Sequence, residues 1–245
     1  MNELNVHTAT RRAFVSPALA RTAASSETPP MDCDLIAPWY QALEYMCFGK
    51  ALEHCRLAHL PRLKTQRAIL CGEGDGRFLH ALLRAHPDTQ VDSVDVSRKM
   101  VELSRRRIAR LPQASLDRTC CHCGDLRSFT PREGGYDLIA THFFLDCLSM
   151  EEAARIITRV ASWAGPRARW VISEFNQPPG RIARAWTGAV LRGLYTGFRI
   201  ATGLRATRIP NYRPVLAAAG FELEQQQYTW KGLLVSEVWR KRALG

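Results

Sequence analysis

Lysine and acidic side chains are both scarce in this 245-residue chain. Only 5 of the 34 basic residues are Lys and 29 are Arg, set against 23 acids, for a net charge of +11. A positive field favours anionic partners, whether nucleic acid, a membrane surface or an acidic metabolite. The Arg skew by itself is equally well a matter of genomic base composition, and a soluble Arg-rich surface is the plainer reading. No run approaches the roughly 20 consecutive apolar residues that a membrane-spanning helix needs, so a soluble chain is expected. No segment reads as a secretory signal with a continuous apolar core. Internal repeats are lacking too. The eight cysteines sit in a chain long and core-rich enough to do without a disulfide scaffold, so reduced thiols in the cytoplasm are the expectation.

What is present is ordinary for a globular protein. Hydrophobic residues make up 46% of the chain and charged ones 23%, which excludes a fibrous or wholly disordered chain. The length suits one large α/β domain with a sizeable core. Residues 1–30 stand apart, rich in Ala, Ser and Thr and ending in Pro29-Pro30. Such a segment lacks the large apolar residues that ordering requires, so a disordered tail is expected. The same composition also fits an organelle transit peptide.

From residue 34 to 59 a helical period appears, with Ile36, Tyr40, Leu43, Met46 and Cys47 on one face. Strand and helix patterns then alternate. Strands are predicted over 67–71, 90–96, 117–123, 136–142 and 168–175. Helices are predicted over 77–85, 97–110 and about 150–164. That alternation means βαβ units and a mostly parallel sheet. Residues 175–221 break the rhythm, with seven Arg and no Asp or Glu. A short helix ending at Gly220 and two strand-like runs, 221–228 and 233–239, then predict a terminal antiparallel hairpin. Residues 31–245 read as one domain, with 176–214 as a basic helical lid on the acceptor side.

The sharpest feature is Cys71-Gly72-Glu73-Gly74-Asp75-Gly76, set between a strand and a helix. Glycines there permit a tight turn and a close backbone approach to a ligand. The helix that follows offers free N–H groups and a positive dipole end. Asp95, 21 residues beyond Gly74, closes the next strand, where a carboxylate can accept from both hydroxyls of a ribose. Turn, strand, helix and Asp in register point to an adenosine-containing ligand over the carboxyl ends of the strands. The dinucleotide fingerprint wants a third glycine where this chain has Arg77.

The G-x-G-x-G spacing resembles motif I of class I S-adenosylmethionine (SAM)-dependent methyltransferases, and further likenesses run from Asp34 to the C-terminus. Val94-Asp95-Val96-Ser97 followed by Met100 resembles the family's second motif, which implies that Asp95 holds the ribose and Val96 packs on adenine. Gly124-Asp125-Leu126 is similar to the third-strand turn, which implies that Asp125 accepts from the adenine amino group. Tyr136-Asp137-Leu138-Ile139 is similar to the strand-four motif, and Gly220-Phe221 to the pair that opens strand six. Asp34 to Tyr40 resembles the N-terminal segment of small-molecule members, which implies that Tyr40 closes over the cofactor. The chain departs from the pattern in Leu70, where an acid is common, and in Glu73 and Asp75 between the glycines.

The resemblance implies a Rossmann-like, seven-stranded, mostly parallel sheet with a C-terminal antiparallel hairpin and helices on both faces. It implies SAM as cofactor, held by Tyr40, Gly72, Glu73, Gly74, Gly76, Asp95, Val96, Met100, Asp125, Leu126 and Thr141. His142, just past strand four, is the candidate base at the mouth of the site, and Asp146 a weaker one. The run Cys120-Cys121-His122-Cys123 reads as core and no metal site is expected. No (N/D)PP(Y/F) tetrad of the base-methylating enzymes follows strand four, where the chain reads Thr141-His142-Phe143-Phe144. The expected reaction is therefore methyl transfer to a small, partly apolar molecule, with Trp186, Tyr195 and Phe198 lining its pocket. Three alternatives stand beside it: an RNA methyltransferase using the Arg-rich face, an NAD(P)-dependent oxidoreductase, and a catalytically inactive SAM-binding protein.

Overall fold

The computed structural model describes residues 45, 46, 48–176 and 210–243. They lie within one compact unit, Met31–Gly245. Tyr40, the tail 1–30 and the lid aromatics Trp186, Tyr195 and Phe198 lie outside the described residues.

Strands and helices alternate as the apolar pattern predicts. The order is α1 (Ala51–Leu57), β1 (Arg67–Cys71), α2 (Arg77–Ala85), β2 (Gln90–Asp95), α3 (Arg98–Ile108), α4 (Gln113–Leu116) and β3 (Thr119–Cys123). It continues through β4 (Tyr136–His142), α5 (Met150–Ala161), β5 (Ala164–Phe175), α6 (Arg213–Ala218), β6 (Phe221–Thr229) and β7 (Leu234–Lys241). The seven strands form one sheet in the order β3-β2-β1-β4-β5-β7-β6. β1 to β5 run parallel to one another, and β7 runs antiparallel between β5 and β6.

Period-two alternation splits the side chains of β1 between two cores. Ile69 and Cys71 join Trp170, Ile172 and the α5 residues Ile156, Ile157 and Val160 on one face. Ala68 and Leu70 join Phe78, Leu79 and Leu82 of α2 on the other. Helix starts are set by side chains where the sequence provides them. Ser97 Oγ accepts from Met100 N–H at 3.2 Å before α3. Before α5, Ser149 Oγ accepts from Glu152 N–H and Glu152 Oε2 accepts from Ser149 N–H, a reciprocal capping box.

Three expectations are corrected. Met46, the one described residue of the helical face expected over 34–59, is 77% exposed, so the face is not buried at that residue. The fifth strand begins at Ala164 rather than 168, because a register shift against β4 between Tyr136 and Leu138 and a left-handed Arg167 at φ 58° absorb Gly165-Pro166 as a bulge. The run 120–123 is not core: Cys120 and Cys123 are exposed and Cys121 is half-buried.

Candidate functional site

In an open sheet of this kind the chain leaves β1 towards β2 on one side and reaches β4 on the other. A crevice opens at the carboxyl ends where that order reverses. The glycine turn after β1 sits there. Gly72, Gly74 and Gly76 all have positive φ, at 67°, 69° and 81°, a conformation L side chains rarely adopt. At Gly76 a Cβ would meet Ser104 Cα at 2.6 Å, so glycine also lets α3 pack against the turn. At Gly72 a Cβ would run into the Phe144 ring, whereas the space above Gly74 is open.

Asp95 ties two turns together. Its Oδ2 accepts from Gly74 N–H at 2.8 Å and its Oδ1 from Ser97 N–H at 2.9 Å. Beside it Val96 is 38% exposed, an apolar side chain left open next to the carboxylate. A fixed acid, an exposed apolar residue and an open glycine turn are what an adenosine ligand needs at this place, and the described residues fit SAM there.

Other residues of the expected cofactor set, and Asp75 beside them, make contacts of their own. Glu73 turns inward, and its Oε1 accepts from Leu79 N–H at 2.9 Å, satisfying a free donor of the first turn of α2. Burial pushes its carboxyl up to about 7. Asp75 is buried and paired with Arg77 Nε at 3.0 Å and Arg107 Nη2 at 2.8 Å, which accounts for an arginine where a dinucleotide site has glycine. Asp125 accepts from Arg127 N–H at 2.9 Å and Arg127 Nε at 2.8 Å. Burial raises its pKa, but the Arg127 bonds and charge outweigh that and hold it ionised. Met100 and Leu126 are buried. Thr141 is a correction: its Oγ1 accepts from Trp170 Nε1 at 3.1 Å deep in the core, so its side chain does not open onto the crevice.

His142 is a second correction. It ends β4, but the ring lies under α2, 4.3 Å from the Phe78 ring and with Nδ1 3.0 Å from Ser173 Oγ. Burial first, then the positive charge of Arg56 and the nearby His59, hold its pKa well below the usual imidazole value. A neutral ring packed in the interior is not at the mouth of the site.

What stands at the carboxyl ends of β4 and β5 is a pair of carboxyl groups. Glu174 is fully buried, and its two oxygens accept from the N–H groups of Phe144 at 3.2 Å, Leu145 at 2.8 Å and Asp146 at 3.3 Å. Burial first, then the charge of Asp146, raises its pKa well above the carboxylate range, and the two side chains are hydrogen-bonded to each other. Two carboxyl groups in such contact disfavour the doubly ionised state. The sequence reading missed Glu174. Its only signal there is an acid ending an otherwise apolar strand.

The comparisons bear on the fold. Residues 69–167 match the model of a family described as a methyltransferase domain. That match covers less than half of the chain, and the seven-stranded fold is one shared with solved methyltransferase structures. No curated protein matches the sequence. Among solved structures, an O-methyltransferase family protein from Burkholderia thailandensis is 16% identical with a TM-score of 0.64, covering 89% of this chain and 66% of its own. The mitomycin 7-O-methyltransferase MmcR is 16% identical with a TM-score of 0.59, over 84% of this chain and 60% of its own. Magnesium protoporphyrin IX methyltransferase from Synechocystis PCC 6803, with bound S-adenosylhomocysteine (SAH), is 20% identical with a TM-score of 0.55, over 85% and 86%. The chain spans 60% of the length of TnmH and of MmcR. Among the described residues, no helix is long and apolar enough to cross a membrane.

Proposed function

We propose that this chain transfers the methyl group of SAM to a small, partly apolar molecule. The observation that carries the reading is the Asp95 carboxylate, fixed between the glycine turn and the β2 turn by bonds of 2.8 and 2.9 Å with Val96 exposed beside it. When bound, SAM supplies a methyl group already activated by its sulfonium. The chain's part is to hold the adenosyl end at Asp95 and Val96, align the acceptor and exclude water. An oxygen or nitrogen acceptor would also have to lose a proton. The Asp146–Glu174 pair at the carboxyl ends of β4 and β5 is as buried as His142, so no described side chain is assigned that role. A small acceptor is supported by two structural neighbours whose names give mitomycin and magnesium protoporphyrin as what they methylate.

The test is incubation with methyl-labelled SAM and two acceptor pools, a small-molecule extract and total RNA. The proposal expects label in the small-molecule pool. Label in RNA with a steep loss on adding salt would replace it with the RNA reading. No label in either pool, from protein that binds SAH, would make the chain a binding protein.

A further inference from the structure

Away from the adenosyl site, three side chains of different donor type converge across the β2–β3 pair. Cys120 and His122 are two apart on β3 and so share a face. Asp92 is the β2 residue in register with Cys120. The Cys120 thiol, the His122 imidazole and the Asp92 carboxylate bring ligand atoms within 4.8 Å of one another. The sequence alone hides this, because the third donor comes from a strand 28 positions earlier in the chain. Cys120 and Cys123 do stand at C-x-x-C spacing, but an odd separation on one strand puts them on opposite faces.

We propose that Asp92, Cys120 and His122 form a site for a zinc-like divalent transition ion, with a solvent molecule as fourth ligand. A thiolate, an imidazole and a carboxylate are together the donor set that zinc takes in tetrahedral sites. His122 Nε2 already lies 2.7 Å from Asp92 Oδ1. Ligands held about 2.0–2.1 Å from an ion at tetrahedral angles stand roughly 3.3 Å apart, so a small side-chain opening admits it. The surroundings serve the same geometry. The Tyr136 hydroxyl donates to Asp92 Oδ2 at 2.8 Å, which orients Oδ1 towards His122, as outer-shell groups do around metal ligands. The Phe129 ring lies 5.1 Å from the His122 ring and limits its rotation. Cys120 is exposed, which leaves its side of the cluster open to an ion from solvent. On binding, the Cys120 S–H proton goes to solvent as the metal–sulfur bond forms. The ion would fasten β3, the edge strand of the sheet, to β2.

The test is titration of the untagged full chain with Co²⁺, followed by displacement with Zn²⁺. One Co²⁺ per chain is expected, with thiolate-to-cobalt absorption in the near ultraviolet that Zn²⁺ abolishes. Cys120→Ser should remove the band and His122→Ala should weaken binding by about tenfold or more. Cys123→Ser should change neither. Cys120 is exposed, so metal-free thermal unfolding of Cys120→Ser should match the wild type and rule out misfolding. Absence of the band in the wild type, a band that survives Cys120→Ser, or unaltered affinity in His122→Ala overturns the site. The site shares no residue with the adenosyl platform, so its failure leaves SAH binding as it was.

Discussion

Glu73 sits between two glycines of the cofactor turn yet works as a cap for α2, and its titration carries a stability cost. Burial lifts its folded pKa to about 7 from an ordinary 4.5. Its stabilising effect is therefore complete below about 4.5 and disappears as pH rises through 7. Glu73→Gln keeps an oxygen for Leu79 N–H and removes the titration. The variant should lose less stability than the wild type between pH 5 and pH 8, by up to about 3 kcal/mol. Denaturant unfolding at both pH values measures the difference, and equal slopes would contradict the assignment. Glu174 is raised too, so a residual fall should remain in both proteins. His142 gives a second prediction at this scale. Its ring fills space against Phe78 and bonds Ser173, so His142→Ala should cost about 2 kcal/mol or more and leave SAH affinity unchanged. A stable variant with weakened SAH binding would put the ring back at the site. Neither role is legible in the sequence, because i-to-i+6 capping and the face a strand's last residue presents both depend on tertiary packing.

At the scale of elements, local rules explain why some boundaries are readable. Ser149 and Glu152 announce the start of α5, where two bonds of 3.2 and 3.0 Å satisfy both partners. Ser149→Ala should cost about 1 kcal/mol, measured as a lower unfolding midpoint with an unchanged denaturant slope. No effect would mean that packing of Ile156, Ile157 and Val160 alone sets the helix. The start of β5 was hidden for the opposite reason. Gly165-Pro166 reads as a strand breaker, and only pairing with β4 reveals it as a bulge. Likewise the exposed Met46 follows a helical period that has no partner among the described residues.

At the scale of the whole molecule, the parallel sheet and terminal hairpin were legible because β1, β4 and β5 are nearly continuous apolar runs and the helices between them are amphipathic. The order of strands, with β7 inserted between β5 and β6, was not legible, because a hairpin can dock on β5 through either of its strands. The crevice was legible in outline: Gly72, Gly74 and Gly76 form the turn after β1, and Asp95 beside Val96 bonds to it. Glu73, Thr141 and His142 turn their side chains into the interior, since sequence position fixes where a residue lies along a strand but not what its side chain meets.

The central claim is that this crevice binds an adenosyl-sulfur ligand through Asp95. Thermal unfolding of the purified chain with SAH, SAM, NAD and NADP in parallel tests it most directly. At about 100 times its dissociation constant a ligand adds roughly 2.7 kcal/mol, an upshift of several degrees for a chain of this size. The account predicts that upshift with SAH and SAM, and its loss in Asp95→Ala. An upshift with the nicotinamide cofactors alone, or one with SAH that survives Asp95→Ala, would contradict it.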